Sequence, residues 1–344
     1  ALGSDTKGKE CVAIGNGALF QQNLTSLTSV FNVGIGSSAG ENISTGYQNT
    51  FVGGLAGHYS TTAQQNVAIG YKALYGSGFV TGEGNVAIGD RAMEDPNGAC
   101  HANVAVGQQA GTNITTGDYN VCVGKSAGSS LTSGGNNIMI GRDTGTNTVA
   151  VDTGTNNVLI GYQARANATD AAQQISLGRQ VTCTGNNNFT FGDGATDSNI
   201  AFGATSISAP SDQRYKEDIE TATAGLSFIK DLRPVTFKWK KEKDLPANHR
   251  AYVKDSDKRT INDKTNHGFL AQEVKAVIDA HSEIKDGFDM WQTDDQADGG
   301  RQRIGDASLM PMMVKAVQEL SAKNDTLETQ VADLITRVKA LEDK

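Results

Sequence analysis

Asn66-Val67-Ala68-Ile69-Gly70 decides the fold, because the same five-residue pattern returns at Asn85-Val86-Ala87-Ile88-Gly89 and at ten other places before residue 210. The closing glycines are Gly15, Gly36, Gly53, Gly70, Gly89, Gly107, Gly124, Gly141, Gly161, Gly178, Gly192 and Gly203, spaced 21, 17, 17, 19, 18, 17, 17, 20, 17, 14 and 11 residues apart. A unit near 17 residues with variable inserts marks a repeat architecture in which strands are constant and loops vary. The second and fourth residues are apolar around a small third one, the period-2 signature of a short strand, and the expectation is that this apolar face is buried. Glycine permits positive φ or close backbone approach after each strand, and the leading Asn can bond its own turn. Asn fills that first position in ten of the twelve copies. One such strand cannot bury its apolar face alone, so neighbouring units stack into a rod with a continuous core.

Outward from the repeat, the composition changes near Ala209-Pro210-Ser211. Residues 1–210 hold 34 of the 40 glycines but only 8 Lys or Arg and 13 Asp or Glu, whereas residues 211–344 hold 22 basic and 25 acidic side chains. Two architectures follow: an all-β repeat shaft over residues 1–210, and a charged α+β domain over 211–344 that ends in a helix.

The net charge of −8 is spread over both halves, and the densest basic run, Lys238 to Lys243, is interrupted by Trp239, which argues against a nucleic-acid surface. No apolar run reaches the roughly 18 residues of a membrane helix, and nothing at the start resembles a signal peptide. The first residue is Ala1 rather than Met, so the chain is read as a piece of a longer protein. Cys11, Cys100, Cys122 and Cys183 lack the short spacings of zinc or redox motifs; free thiols and assembly in a reducing cytoplasm are expected. His249, His267 and His281 lie too far apart for a local ligand pair, so neither a metal nor another cofactor is expected.

The Val-Ala-Ile-Gly pentamer followed by Ala-Gly or Ala-Leu, over residues 10 to 205, resembles the head repeat of trimeric autotransporter adhesins. The resemblance implies a homotrimer of packed β-rolls with outward loops; a single-chain β-helix remains open. Inserts at Gln21–Phe31, Ser60–Gln65, Tyr75–Gly84 and Glu94–His101 carry Tyr, Phe, His and Asn, residue types that contact sugars, although loops of any solenoid look alike in this respect. The acids Asp90, Glu94, Asp95 and Asp118 show no repeated pairing of the kind glycan cleavage requires and read as turn acids. Asn-X-Ser/Thr sequons beginning at Asn23, Asn42, Asn113, Asn167 and Asn188 read as turn composition.

At the seam stands Pro210-Ser211-Asp212-Gln213-Arg214-Tyr215-Lys216-Glu217-Asp218-Ile219. A serine hydroxyl becomes a nucleophile when a base accepts its proton, and a lysine does so once its amine is neutral, so a Ser-Lys pair is a recognised catalytic variant. Spacing alone favours a plainer reading in which Ser211 caps a short helix, Asp212 and Glu217 sit near its positive end, and Lys216 is solvated.

The surrounding blocks reverse that preference. Ser-Asp-X-Arg-X-Lys-X-X-Ile, Leu226 to Lys230 leading into Leu232-Arg233-Pro234-Val235-Thr236-Phe237-Lys238-Trp239, His267-Gly268-Phe269-Leu270-Ala271-Gln272-Glu273-Val274, and Ala316-Val317-Gln318-Glu319-Leu320 resemble, in order, the intramolecular chaperone of endosialidase tailspikes. The resemblance implies a bacteriophage tail fibre or tailspike, assembled in the host cytoplasm and carried on the virion tail, whose C-terminal domain trimerises the shaft and is then released. It also implies a single-turnover serine peptidase with Ser211 as nucleophile, Lys216 as general base and Pro210-Ser211 as the bond cut. The implied partners are two further copies of the chain and a host-surface glycan or protein receptor. A trimeric receptor-binding adhesin and a glycan depolymerase, each with a non-cleaving assembly domain, are the alternatives.

Met310, Met313, Val317, Leu320, Asn324, Leu327, Val331, Leu334, Val338 and Leu341 alternate steps of three and four, which predicts a coiled coil over about 309–344. Valine at one seam position and leucine at the other lean toward two strands, whereas the family resemblance implies three. Asn324 in the seam fixes register at some cost in stability. Leu226 to Leu232 predicts a short helix, Val235 to Trp239 a strand, and Ala271 to Ala280 an amphipathic helix.

Overall fold

A computed structural model describes residues 2–343 apart from 5–6, 25–27, 147–149, 195, 248, 250, 285–289, 294–301 and 306–307. Part of the insert Gln21–Phe31 (residues 25–27) and Lys344 at the end of the expected coiled coil therefore lie outside the described residues. The chain divides into two compact units, Ala1–Tyr215 and Lys216–Lys344.

The first unit is a β-solenoid. A short pair, β1 (Gly8–Lys9) with β3 (Thr28–Ser29), flanks a sheet formed by β2 (Val12–Ile14), β4 (Val33–Ile35), β5 (Thr50–Val52), β6 (Val67–Ile69), β7 (Val86–Ile88), β8 (Val104–Val106), β9 (Val121–Val123), β10 (Ile138–Ile140), β11 (Val158–Ile160), β12 (Gln174–Arg179), β13 (Asn188–Asp193) and β14 (Thr196–Ala201). Strands β2 to β13 pair in parallel, pentamer on pentamer: Val67 lies beside Val86, Ala68 beside Ala87 and Ile69 beside Ile88. The twelfth copy breaks the rule. Its strand β14 turns back and pairs antiparallel to β13. The gap before Gly203 is 11 residues, short of the roughly 17 needed for a full coil, so the chain closes a hairpin there instead.

The glycine at the end of each strand is fixed by sterics. Gly70 has φ +134°, and a Cβ on it would sit 2.4 Å from the carbonyl oxygen of Gly89 in the next coil. The leading asparagines do more than close their own turns. Asn120 Nδ2 donates to Asn103 Oδ1 (3.0 Å) and to Gly134 O (2.9 Å), while Asn120 Oδ1 accepts from both the backbone N–H and Nδ2 of Asn137 (3.0 Å each). The same linkage runs from Asn32 to Asn157, every member fully buried. Stacked amides thus satisfy the polar backbone that a coil turns inward. Asn120→Ala takes the side-chain partner from the Asn137 N–H and the Gly134 carbonyl, while Asn103 Oδ1 keeps the backbone N–H of residue 120 (2.9 Å). At about 1–3 kcal/mol for each buried unsatisfied group, the shaft should lose about 3–5 kcal/mol, read from denaturant unfolding.

The orientation of the strands inverts the expected one. Their small middle residues, Ala68, Ala87, Ala105 and Cys122, are fully buried in the core of the coil, together with the larger Phe51, Met139 and Leu159 at the same position. The flanking valines and isoleucines face outward: Ile14 is 58 % exposed and Ile69 38 %. A narrow roll leaves little room inside, so inward bulk is rationed between coils. Where the strand carries Phe51, glycines stand around the ring, and a Cβ on Gly57 would lie 2.4 Å from Phe51 Cε1. In coils whose strand carries Ala68 or Ala87, the residue at the Gly57 position is Leu74 or Met93, held at φ 51° and 46° and fully buried.

All four cysteines are free. Cys122 takes the small inward position, and burial pushes its thiol up to about 12, so it serves as an apolar filler.

The second unit comprises α1 (Leu226–Asp231), β15 (Val235–Phe237), β16 (Asn266–Gly268), α2 (Ala271–Ala280), β17 (Trp291–Thr293), β18 (Gln302–Ile304) and α3 (Leu309–Glu342). The strands form two antiparallel pairs, β15 with β16 and β17 with β18. Its core gathers Phe228, Leu232, Val274, Ile278, Met290 and Leu309, with Met312 packed against it. The expected helices at Leu226 and Ala271 and the expected strand at Val235 are present, and α3 runs 34 residues, about 50 Å at 1.5 Å per residue.

Candidate functional site: the seam and two unpartnered apolar faces

The seam is built on a single 3-10 turn, Gln213–Tyr215. Asp212 starts it: its Oδ1 accepts the Arg214 backbone N–H (2.9 Å), its main-chain oxygen accepts Tyr215 N–H (3.1 Å), and its carboxylate takes the Arg214 guanidinium in a forked pair with Nη2 to Oδ2 at 2.6 Å. Arg214 holds the Asp212 carboxyl below the usual carboxylate range. The capping task that sequence reading offered to Ser211 is thus performed by Asp212. Ser211 is exposed just before this turn at the end of the first unit, and Lys216, also exposed, opens the second. Pro210, on the acyl side of the candidate bond, is exposed as well.

Behind the seam, α1 is tied to α3 by a contact the sequence did not reveal. Gly225 precedes α1 without a side chain to cap it, and Glu319 Oε2, from α3, accepts the Leu226 N–H at 2.9 Å. The carboxylate sits at the positive end of the helix and is steadied by Lys315 at 3.7 Å. Gly225 is required there, since a Cβ would lie 2.7 Å from Lys315 Cγ.

His281, read from sequence as a bystander, joins α1 to the end of α2. Its Nε2 lies 3.0 Å from Asp231 Oδ2 and its Nδ1 3.0 Å from Glu283 Oε1, with the ring edge-on to Phe228. The two carboxylates raise its pKa above the ordinary 6.5. A raised folded-state pKa gives stability that is fully present below the unfolded value and fades as pH climbs through the folded one. The second unit should therefore melt at a lower temperature at pH 8 than at pH 6, and His281→Gln should flatten that slope, as followed by circular dichroism.

Among the described residues, two apolar faces stand exposed. In α3, Leu309, Met312 and Ala316 pack inward, whereas Val317, Leu320, Leu327, Val331, Leu334, Val338 and Leu341 are each half exposed or more. Asn324, within that seam, bonds Glu328 Oε1 through Nδ2 at 2.8 Å. In the solenoid, the outward residues of β2 to β13 stand in two parallel files, from Val12 and Ile14 to Phe189 and Phe191. At roughly 4.8 Å per strand, the ten steps of this stripe extend about 48 Å. Lone soluble proteins rarely leave so long an apolar surface in water.

The acids of the shaft have local roles. Glu94 pairs with Lys72 (3.1 Å) and Arg91 (3.8 Å), and Asp118 Oδ1 accepts the His101 N–H at 2.6 Å. Gln108 Nε2 reaches Asp90 Oδ2 at 3.4 Å, and burial raises the Asp95 carboxyl. Among the insert aromatics, His58 stacks on Tyr75 with centroids 5.3 Å apart, and Lys72 lies 4.9 Å over the same Tyr75 ring. Among the described residues there is no group of three His, Cys, Asp or Glu side chains able to hold a metal, and no helix long and apolar enough to cross a membrane.

Residues 211–283 match the family described as chaperone of endosialidase. The match begins at Ser211, within the first unit, and takes in Lys216, α1, β15, β16, α2, His281 and Glu283. No curated protein and no solved structure matches the chain.

Proposed function

We propose that this chain is a segment of a bacteriophage tail fibre or tailspike in which residues 211–344 bring three copies together, the solenoids zip along their apolar stripes, and the C-terminal part is then cut away. The observation that supports the reading is the pair of exposed apolar faces, one along the shaft and one along α3, in a chain whose residues 211–283 match the chaperone-of-endosialidase family. Three-chain β assembly is slow to nucleate, because distant strands must meet before any contact stabilises them. A coiled coil with seam Val317, Leu320, Asn324, Leu327, Val331, Leu334, Val338 and Leu341 raises the local concentration of the shafts and removes much of that barrier. Attachment of the fibre to a host-surface glycan or protein belongs to the same proposal through the fibre resemblance.

In the proposed cleavage, Lys216 Nζ takes the proton from Ser211 Oγ, and the oxygen attacks the Pro210 carbonyl carbon. The C–N bond breaks with proton transfer to the departing Ser211 nitrogen, leaving an ester between Pro210 and Ser211 Oγ. Water then adds to that carbonyl, the ester C–O bond breaks, and Oγ regains its proton. The products are a shaft ending at Pro210 and a chaperone beginning with the Ser211 amine. Native mass spectrometry of the folded chain, residues 1–344, tests both halves of the proposal. A trimeric shaft together with a fragment starting at Ser211 is expected; an intact monomer would sink it.

A further inference from the structure

Past Leu320, α3 runs clear of its own core. Leu309, Met312 and Ala316 pack inward, while each residue from Ser321 to Glu342 is exposed. The seam of this stretch alternates Asn324, Val331 and Val338 with Leu327, Leu334 and Leu341, and its two borders differ in charge. Lys323, Gln330 and Arg337 each precede a residue of the first set, whereas Glu328, Ile335 and Glu342 each follow one of the second. One border therefore reads basic, neutral, basic, and the other acidic, apolar, acidic.

Those borders discriminate between alignments. When two helices lie parallel and level, each residue of the first border faces the residue five positions later on the second border of its neighbour. Lys323 then meets Glu328, Gln330 meets Ile335 and Arg337 meets Glu342. Asn324 meets Asn324 in one layer, where the amides bond one another. A slip of one heptad sets Lys323 or Arg337 against Ile335 and loses both ion pairs, and it lays the Asn324 amide beside Val317 or Val331 with no polar partner across the seam. Antiparallel helices oppose like borders, cation to cation and carboxylate to carboxylate. Within the chain, Asn324 Nδ2 donates to Glu328 Oε1 (2.8 Å), which holds that carboxylate at its border, and Arg337 Nη1 comes only to 4.0 Å from Asp333 Oδ2.

We infer that the two borders of α3 are a register code that accepts a second copy of this helix only when it lies parallel and level, with Lys323 on Glu328 and Arg337 on Glu342 of the next copy. The inference rests on the proposed assembly through α3. It adds the direction of the partner, its alignment and the four charged side chains that select it.

The test uses residues 1–344 at low salt, where surface charges are least screened. Hydrogen exchange over residues 323–342 reads the coil locally, whatever the shafts do, and sedimentation velocity reads the number of chains. Lys323→Glu with Arg337→Glu turns both pairs at every helix contact into like-charge pairs, and these amides should exchange about tenfold faster. Adding Glu328→Lys and Glu342→Lys to the same chain exchanges the borders and should restore the native rate, which separates pairing from loss of helix. An assembled native chain whose two-fold variant exchanges at the native rate, or whose four-fold variant is not restored, overturns the register code and leaves the assembly reading standing. A native chain that sediments as a monomer overturns both.

Discussion

The chain of residues 1–344, folded at neutral pH, is expected to give two polypeptides, the second beginning at Ser211, whereas Ser211→Ala and Lys216→Ala should each remain a single chain. The expected effect is all or none, because Oγ forms the ester bond that replaces the peptide bond and no second hydroxyl adjoins that carbonyl: Asp212 and Gln213 follow, and Pro210 precedes. Lys216→Arg separates charge from basicity: a guanidinium stays protonated, so this variant should trimerise and not cleave. Intact-mass measurement through a refolding time course distinguishes these outcomes. Cleavage that persists in Ser211→Ala would remove the peptidase assignment while leaving the assembly role in place.

Charge placed on the shaft stripe should be the second large effect. Val121 faces outward from the middle of the sheet, with Val104 and Ile138 as neighbours in its file. In a trimer joined through this face, Val121→Lys brings one ammonium from each chain into an apolar seam. Burying an ion without a partner costs several kcal/mol, so three cost about 10 kcal/mol, enough to abolish trimeric shafts at micromolar concentration. Gln108→Lys, on the neighbouring coil but outside the stripe, should leave assembly unchanged, and Val121→Ile likewise. Sedimentation velocity reads the result. An unaltered trimer for Val121→Lys would move the interface to another face.

The repeat was open to sequence reading because its determinants recur. A glycine at positive φ closes every copy, and a buried asparagine opens eight of them, so the pattern repeats visibly along the chain even though the contacts that fix it reach into the next coil. What periodicity could not give was direction: alternation tells which side chains share a face, and both faces of these strands are apolar. The small third residue, read as a spacer, is the inward one because the coil is too narrow for a valine beside every return turn. The reversal at β14 was written in the short gap before Gly203, a matter of chain reach that the pentamer alone conceals. In the second unit, the short helix at Leu226, the strand at Val235, the helix at Ala271 and α3 all followed from periodicity. The tie between Glu319 and Leu226 did not, since 93 residues separate them. His281 was invisible for the same reason, as Asp231 lies 50 residues away in sequence.

The one-to-one register of the coils has a further consequence. Since each pentamer sits directly on the next, an inserted or deleted repeat alters neither the stacking of its neighbours nor the fold beyond β14. It changes only reach, by roughly 4.8 Å each time. Shaft length is therefore a counted quantity, and duplication of a stretch of about 17 codons is enough to reset how far such a shaft extends.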